Sequence, residues 1–249
     1  VGRGWLLTAE HVADDGGSGS LTIDGMVYTQ QEIVPHPLGD DLALVRYDKA
    51  FPGYYDLYKG NIPQNLADPK LPVFMVGYGT TGTVSRASWA PSSSAGRGTK
   101  RWGSQQIDIT ESEDEEFLMY FNSSRTAYEA GAGYGDSGSG VFYKDGDTWK
   151  LAGITVSIDG AFRHMNAMSM PHYADWIAAE TIPEPAAIGL MGFGTIGLFL
   201  ARTKRRRKLP GRSLFPIRGD EPMCDRFDAM VGSAEVSASL QTTRIGSGF

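Results

Sequence analysis

The chain has 249 residues, with 23 Lys and Arg against 29 Asp and Glu, 4 His and a single Cys, a length that holds one or two domains. An apolar share of 41% with 21% charged residues excludes wholesale disorder and collagen-like repetition. The lone Cys224 excludes an intrachain disulfide framework and a Cys-based zinc cage. Residues 1–181 carry net −10 and residues 182–249 net +4, and an acidic first part repels phosphate backbones, which argues against a nucleic-acid partner.

Up to residue 181, short apolar runs alternate with Gly, Pro, Asn and Asp clusters, which predicts an all-β fold of barrel or sandwich type. The clearest strands are Gly4–Ala9, Asp41–Tyr47, Leu71–Tyr78, Phe117–Asn122, Gly140–Tyr143 and Trp149–Ser157, rich in Val, Leu, Ile and aromatic residues. Ser92–Gly98 reads as a loop. Glu111–Glu116 reads as an acidic turn or strand edge, a solvated face without the spaced ligands of a calcium loop. A helix over Pro171–Ala179 closes this part, with Tyr173, Trp176 and Ile177 at i, i+3 and i+4 on one face.

The second part opens on Pro183-Glu184-Pro185 and continues from Ala186 to Ala201 without a charge; six of the seven residues Arg202–Lys208 are then Lys or Arg. Sixteen helical residues reach about 24 Å against about 30 Å of hydrocarbon. This predicts one short transmembrane helix, 186–201, with its C-terminal end cytoplasmic and residues 1–181 outside. Gly192, Gly194 and Gly197 spell the dinucleotide fingerprint, but the strand, helix and acidic residue that fingerprint requires are missing, and small residues for packing in lipid is the better reading. Residues 209–249, polar and rich in Gly and Ser, read as a disordered tail.

Three segments could carry chemistry. Gly135-Asp136-Ser137-Gly138-Ser139-Gly140 places a hydroxyl in a tight turn whose backbone N–H groups can converge on one oxyanion. His11 follows an apolar strand, held rigidly enough for a general base. Asp40 and Asp41 stand at the mouth of the apolar run Leu42–Val45, where a carboxylate entering a core needs a donor such as an imidazole N–H.

Together, WLLTAEHV, DDLALV and GDSGSG resemble the His, Asp and Ser segments of the chymotrypsin/trypsin-type serine peptidases, in that family's chain order. Val76-Gly77-Tyr78-Gly79-Thr80 and Tyr173-Ala174-Asp175-Trp176-Ile177 are similar to two further segments of the family. The resemblance implies a fold of two six-stranded antiparallel barrels with a C-terminal helix, over residues 1–181. It implies Ser137 as nucleophile, His11 as general base and then acid, and Asp41 as the group that orients the imidazolium. The backbone N–H groups of Gly135 and Ser137 would form the oxyanion hole. Asp41 is preferred to its rival Asp40 because it directly precedes Leu-Ala-Leu. His36 corresponds to a structural residue, whereas His164 and His172 match no catalytic position.

The chain also departs from the pattern. Glu10 and Val12 flank His11 where the family has Ala and often a disulfide Cys, and Ser139 replaces a Gly. Gly131, six residues before Ser137, stands where trypsin-like members carry a specificity-pocket Asp, so a preference for Arg or Lys is not expected; Val156 and Ser157 fall in the pocket wall. In the family a hairpin and a free amine precede the His segment, and that amine pairs with the carboxylate corresponding to Asp136. Here the chain opens ten residues before His11 and reads as an N-terminally truncated copy.

The end of the chain resembles a PEP-CTERM sorting tail, carried by Pro183, Glu184 and Pro185, the apolar helix and the basic cluster. This implies export in a Gram-negative bacterium, membrane retention that is transient or permanent, and processing by an exosortase-type enzyme. The expectation is a secreted, surface-sorted serine endopeptidase acting on polypeptides without metal or cofactor; the alternative is a non-catalytic displayed binding or matrix protein on the same scaffold.

Overall fold

The structure, a computed structural model, describes residues 4–15, 19–84, 89–91, 95–111 and 115–181. The first fifty residues supply β1 (Trp5–Thr8), the single helical turn α1 (Glu10–Ala13), β2 (Ser20–Ile23), β3 (Met26–Pro35) and β4 (Ala43–Tyr47). These strands form an antiparallel sheet in the order β1-β4-β3-β2. The β2–β3 hairpin closes on Asp24 and Gly25, both at positive φ (50° and 74°). An Asp-Gly pair adopts that turn readily, and its twist matches the flanking strands.

The remainder supplies β5 (Asp56–Leu57), β6 (Leu71–Gly77), β7 (Gly82–Val84), β8 (Trp89–Pro91), β9 (Arg101–Ile107), β10 (Ile109–Glu111), β11 (Glu116–Tyr120), β12 (Gly140–Asp145), β13 (Thr148–Ile158), β14 (His164–Ser169) and helix α2 (Met170–Thr181). Eight of these strands make the second sheet, ordered β10-β11-β14-β13-β12-β6-β9 with β5 parallel to β13; β7 and β8 pair as a separate ribbon. The two end strands of this sheet, β9 and β10, are separated in sequence by Asp108 alone, so the sheet curls until its ends meet.

Asp108 holds that corner. It is 2% exposed; its carboxylate accepts from Arg125 Nη1 (2.7 Å) and from the Tyr120 backbone N–H (2.7 Å). Its backbone N–H donates to the Leu118 carbonyl at 2.9 Å.

Two six-stranded barrels were expected, and two curled half-barrel sheets of four and eight strands are found. Four strands precede residue 50, and the first sheet's outer strands β1 and β2 do not pair with each other. Helix α2 runs one residue earlier and two later than its sequence periodicity indicates, with Tyr173, Ala174 and Ile177 buried and Trp176 packed against the same core. The apolar segment 186–201, the sorting motif 183–185 and the tail lie outside the described residues. Among the described residues no helix is long and apolar enough to cross a membrane.

Each sheet has its own apolar centre: Tyr28, Val45 and Tyr47 in the first, and Val73, Met75, Ile107, Phe117, Met119 and Val141 among others in the second. A third cluster joins them. Leu7, Leu42 and Leu44 of the first sheet and its loops pack with Leu151, Ile154 and Val156 of the second and with Tyr173 and Ile177 of α2. Burial of such a side chain is worth about 1.5–3 kcal/mol, so this cluster fixes how the sheets face each other.

Two outcomes follow for stability, both read by denaturant unfolding. Replacing Ile177 by Ala leaves a cavity between sheet and helix and lowers stability by about 2–5 kcal/mol. Replacing Arg125 by Ala leaves the buried Asp108 carboxylate only the Tyr120 N–H and the more distant Lys70 ammonium, 3.7 Å away, and lowers stability by about 2 kcal/mol.

Candidate active site

The pairing of β1 with β4 brings the first two site residues together. Thr8 lies opposite Ala43 in an antiparallel register, so His11, three residues after Thr8, and Asp41, two before Ala43, emerge at the same end of the sheet. The α1 turn, closed by the Val12 and Ala13 N–H groups on the Ala9 carbonyl (both 3.2 Å), then presents the ring. The Asp41 carboxylate spans His11: Oδ2 lies 2.6 Å from Nδ1 and Oδ1 accepts the His11 backbone N–H at 3.0 Å. A carboxylate only accepts, so Nδ1 is the donor, and in the neutral ring it is Nε2 that keeps the lone pair. Both side chains are more than a third exposed, and an exposed pair contributes about 1 kcal/mol or less. Its value is orientation.

Asp40 has different partners. Its Oδ2 lies 2.7 Å from His36 Nδ1 and accepts the Tyr173 hydroxyl at 3.1 Å. His36 is wedged edge-on between the rings of Tyr173 and Trp176 (centroids 5.0 and 4.9 Å). Burial, followed by the Asp40 charge, pushes the Tyr173 hydroxyl far above the ordinary phenol range, so Tyr173 remains a donor. This clamp ties α2 to the turn that ends at Asp41.

The Ser137 turn comes from the second sheet. Gly135 and Gly138 hold φ of +93° and +79°, a left-handed backbone that Gly adopts without strain. The Gly138 N–H donates to the Thr155 carbonyl (2.8 Å), Thr155 N–H to the Ser139 carbonyl (2.9 Å), and Ser139 N–H to the Asp136 carbonyl (3.0 Å). A side chain at Gly138 would collide with Thr8 Oγ1, so the turn abuts the end of β1 just ahead of His11. Among the described residues the Gly135 and Ser137 N–H groups have no acceptor, and no hydrogen bond joins Ser137 Oγ to His11.

Asp136 points the other way, into the protein. Its Oδ1 accepts the Gly79 N–H (2.7 Å) and its Oδ2 the Gly133 N–H (2.8 Å); Gly77 and Gly79 carry no side chain because a Cβ at either would strike this carboxylate. Burial pushes the Asp136 pKa up from 3.8, opposed by the N–H groups of Gly133, Gly79 and Tyr78 and by the Arg101 charge. With Asp136, the residues Gly131, Ser139, Trp89 and Arg101 line a cavity of about 260 Å³.

Of the expected pocket residues, Gly131 lies beneath the Trp89 indole and Phe121, Val156 is buried between the sheets at the irregularity in β13, and Ser157 is exposed. His164 meets the Tyr120 ring edge-on, and His172 that of Tyr173. Trp89, Thr8 and the Asp40–Tyr173 contact were not found from sequence. For Trp89 the available signal was a large aromatic residue isolated in a Ser- and Ala-rich stretch.

The trypsin family model matches residues 1–177, and the model of the PEP-CTERM protein-sorting motif matches residues 181–207. A comparison with curated proteins gave no match. A trypsin domain points to the serine peptidase class of hydrolases, and the sorting motif to export and surface association. With the bulk of its length inside the first match, the chain belongs to the trypsin family and carries a PEP-CTERM sorting motif behind its trypsin domain.

Proposed function

We propose that the protein is a secreted serine endopeptidase in which His11, Asp41 and Ser137 act as one unit. Ser137 Oγ attacks the scissile carbonyl while His11 Nε2 takes its proton; the carbonyl oxygen becomes an oxyanion facing the Gly135 and Ser137 N–H groups. The C–N bond then breaks as His11 returns the proton to the leaving amine. Water attacks the acyl-enzyme through the same base and frees the carboxylate product. The observation that carries this reading is the Asp41 carboxylate bridging the His11 ring and backbone, which leaves Nε2 as the free base.

Electrostatic stabilisation by the two N–H groups supplies about 10²–10³ in rate for each donor, and the turn that aims them is anchored by Asp136. The carboxylate of Asp136 thus serves as the activation-type group. The sorting tail supports a cell-surface destination in a Gram-negative bacterium, with Pro183-Glu184-Pro185 offered to an exosortase-type enzyme and 186–201 retained in the membrane until processing. A displayed, non-catalytic scaffold is the second reading; it is favoured by the lack of a Ser137–His11 hydrogen bond among the described residues.

An active-site-directed fluorophosphonate separates the two. The full chain is expected to be labelled once and Ser137→Ala not at all, whereas an unlabelled wild-type chain leaves only the scaffold. In peptide hydrolysis, His11→Ala and Ser137→Ala should each lower kcat by about 10⁴ or more, with the double variant no worse than either single one. Asp41→Asn should lower kcat by about 10⁴ with little change in KM.

Asp136 makes a pH prediction. Its folded pKa lies above the unfolded value, so the native state binds more protons between the two and stability from this group falls as pH rises from about 3.8 through the raised value. Unfolding measured across that interval should show a decline in the wild type that Asp136→Asn removes.

A further inference from the structure

We propose that Arg97 makes the Ser137 turn a carboxylate-binding site, so that the polypeptide it acts on carries an Asp or Glu directly beside the scissile bond. The inference rests on the serine-peptidase reading and names the substrate class of that same site. Capture of the carboxylate can also be read without turnover.

The place of the guanidinium carries the inference. A Cβ at Gly135 would lie 2.9 Å from Arg97 Nε and 3.2 Å from its Nη2, so the planar group rests against the Cα of a residue whose own N–H has no acceptor among the described residues. Arg97 is exposed and, among the described residues, makes no hydrogen bond or ion pair. A free cation thus stands beside free backbone donors, and an anion is the partner that suits both.

The site's own carboxylates are committed elsewhere: Asp136 to the Gly79 and Gly133 N–H groups, Asp41 to His11, and Asp40 to His36 and Tyr173. The loop that presents Arg97 is tied to the same framework. The Ala95 carbonyl accepts the Thr81 N–H (2.8 Å) and hydroxyl (3.0 Å), and the Gly98 N–H donates to the Tyr78 carbonyl (2.7 Å), one residue before the Gly79 that anchors Asp136. Within the loop, Arg101 Nη1 donates to the carbonyls of Gly96 (2.6 Å) and Thr99 (3.1 Å). Gly96 and Gly98, on either side of Arg97, hold φ of +76° and +83°, a turn that Gly makes without strain. One arginine folds the loop, and the other is left for a partner. A guanidinium offers its donors as a planar fork that matches a carboxylate bidentately and keeps its charge throughout the working pH range.

Two arms test this on the full chain. In the first, amide NMR follows Gly135 and Ser137 while capped tripeptides with a central Asp or a central Asn, each between two glycines, are titrated in. The Asp peptide should bind about fivefold more tightly, the scale of an exposed pair of opposite charges, and the preference should shrink as salt screens the charge. Arg97→Gln should bring the two peptides level and Arg97→Glu should reverse them. Arg97→Lys, which keeps the charge and loses the fork, should fall between wild type and Arg97→Gln. The second arm takes a peptide that the wild-type chain cleaves and places Asp or Asn first on one side of the cleaved bond, then on the other. There kcat/KM should favour Asp by about fivefold on at least one side, and the ratio should follow the same order through the variants.

Equal binding of the two peptides by the wild type overturns the carboxylate site without needing any variant, as does a preference untouched in Arg97→Gln and Arg97→Glu. Hydrolysis indifferent to Asp on both sides of the bond overturns the substrate class. In each of these cases a fluorophosphonate that still labels Ser137 leaves the peptidase reading standing, and only the role of Arg97 falls. A wild-type chain that cleaves no peptide and takes no fluorophosphonate overturns both.

Discussion

The site depends on one carboxylate. Asp41 touches His11 twice, at the ring and at the backbone N–H, so it settles the position of the imidazole and the nitrogen that carries hydrogen. Neither contact is worth much in stability at this exposure. What they supply is a fixed direction for Nε2, and in proton transfer direction is the scarce quantity, since a base outside hydrogen-bonding reach of its proton contributes nothing. The register of β1 on β4 makes the meeting possible; a slip of one residue would turn every side chain of β1 to the opposite face.

The rest of the architecture carries the second sheet to that pair. His11 and Asp41 lie on segments that connect strands of the four-stranded sheet, whereas the Ser137 turn is hydrogen-bonded to β13 of the eight-stranded one. Their relative position is therefore set by the cluster between the sheets, from Leu7, Leu42 and Leu44 across to Ile154, Val156 and Ile177. The contact of Gly138 with Thr8 is where the two surfaces touch beside the site. Tyr173 adds a link of its own, reaching from α2 to Asp40, 133 residues away in sequence, next to the residue that holds His11.

Much of this was legible in the residues themselves. Strands β1, β4, β6, β11, β12 and β13 read as apolar runs because they are buried on one or both faces, and α2 read from the spacing of Tyr173, Trp176 and Ile177. β3 escaped notice because Tyr28 is its only buried side chain, although Asp24-Gly25 marked its turn. β9 escaped because its inward positions are Gly103, Gln105 and Ile107, and the fully buried Gln105 breaks the apolar alternation while bonding to Ala130 and Arg125. Local motifs could nominate Ser137, His11 and Asp41 as candidates, since each lies in a short segment with its own turn chemistry. They could not show the Trp89 ring over Gly131 or the separate partners of Asp40, because those contacts are made by tertiary packing between distant segments.

The central claim is that Asp41, His11 and Ser137 form one connected unit, and the ring proton between the first two reports on it directly. Proton NMR of the full chain should show a strongly downfield His11 Nδ1–H resonance that disappears in Asp41→Ala and moves when Ser137 is phosphonylated. A spectrum in which that resonance survives the loss of Asp41, or is indifferent to modification of Ser137, would contradict the account.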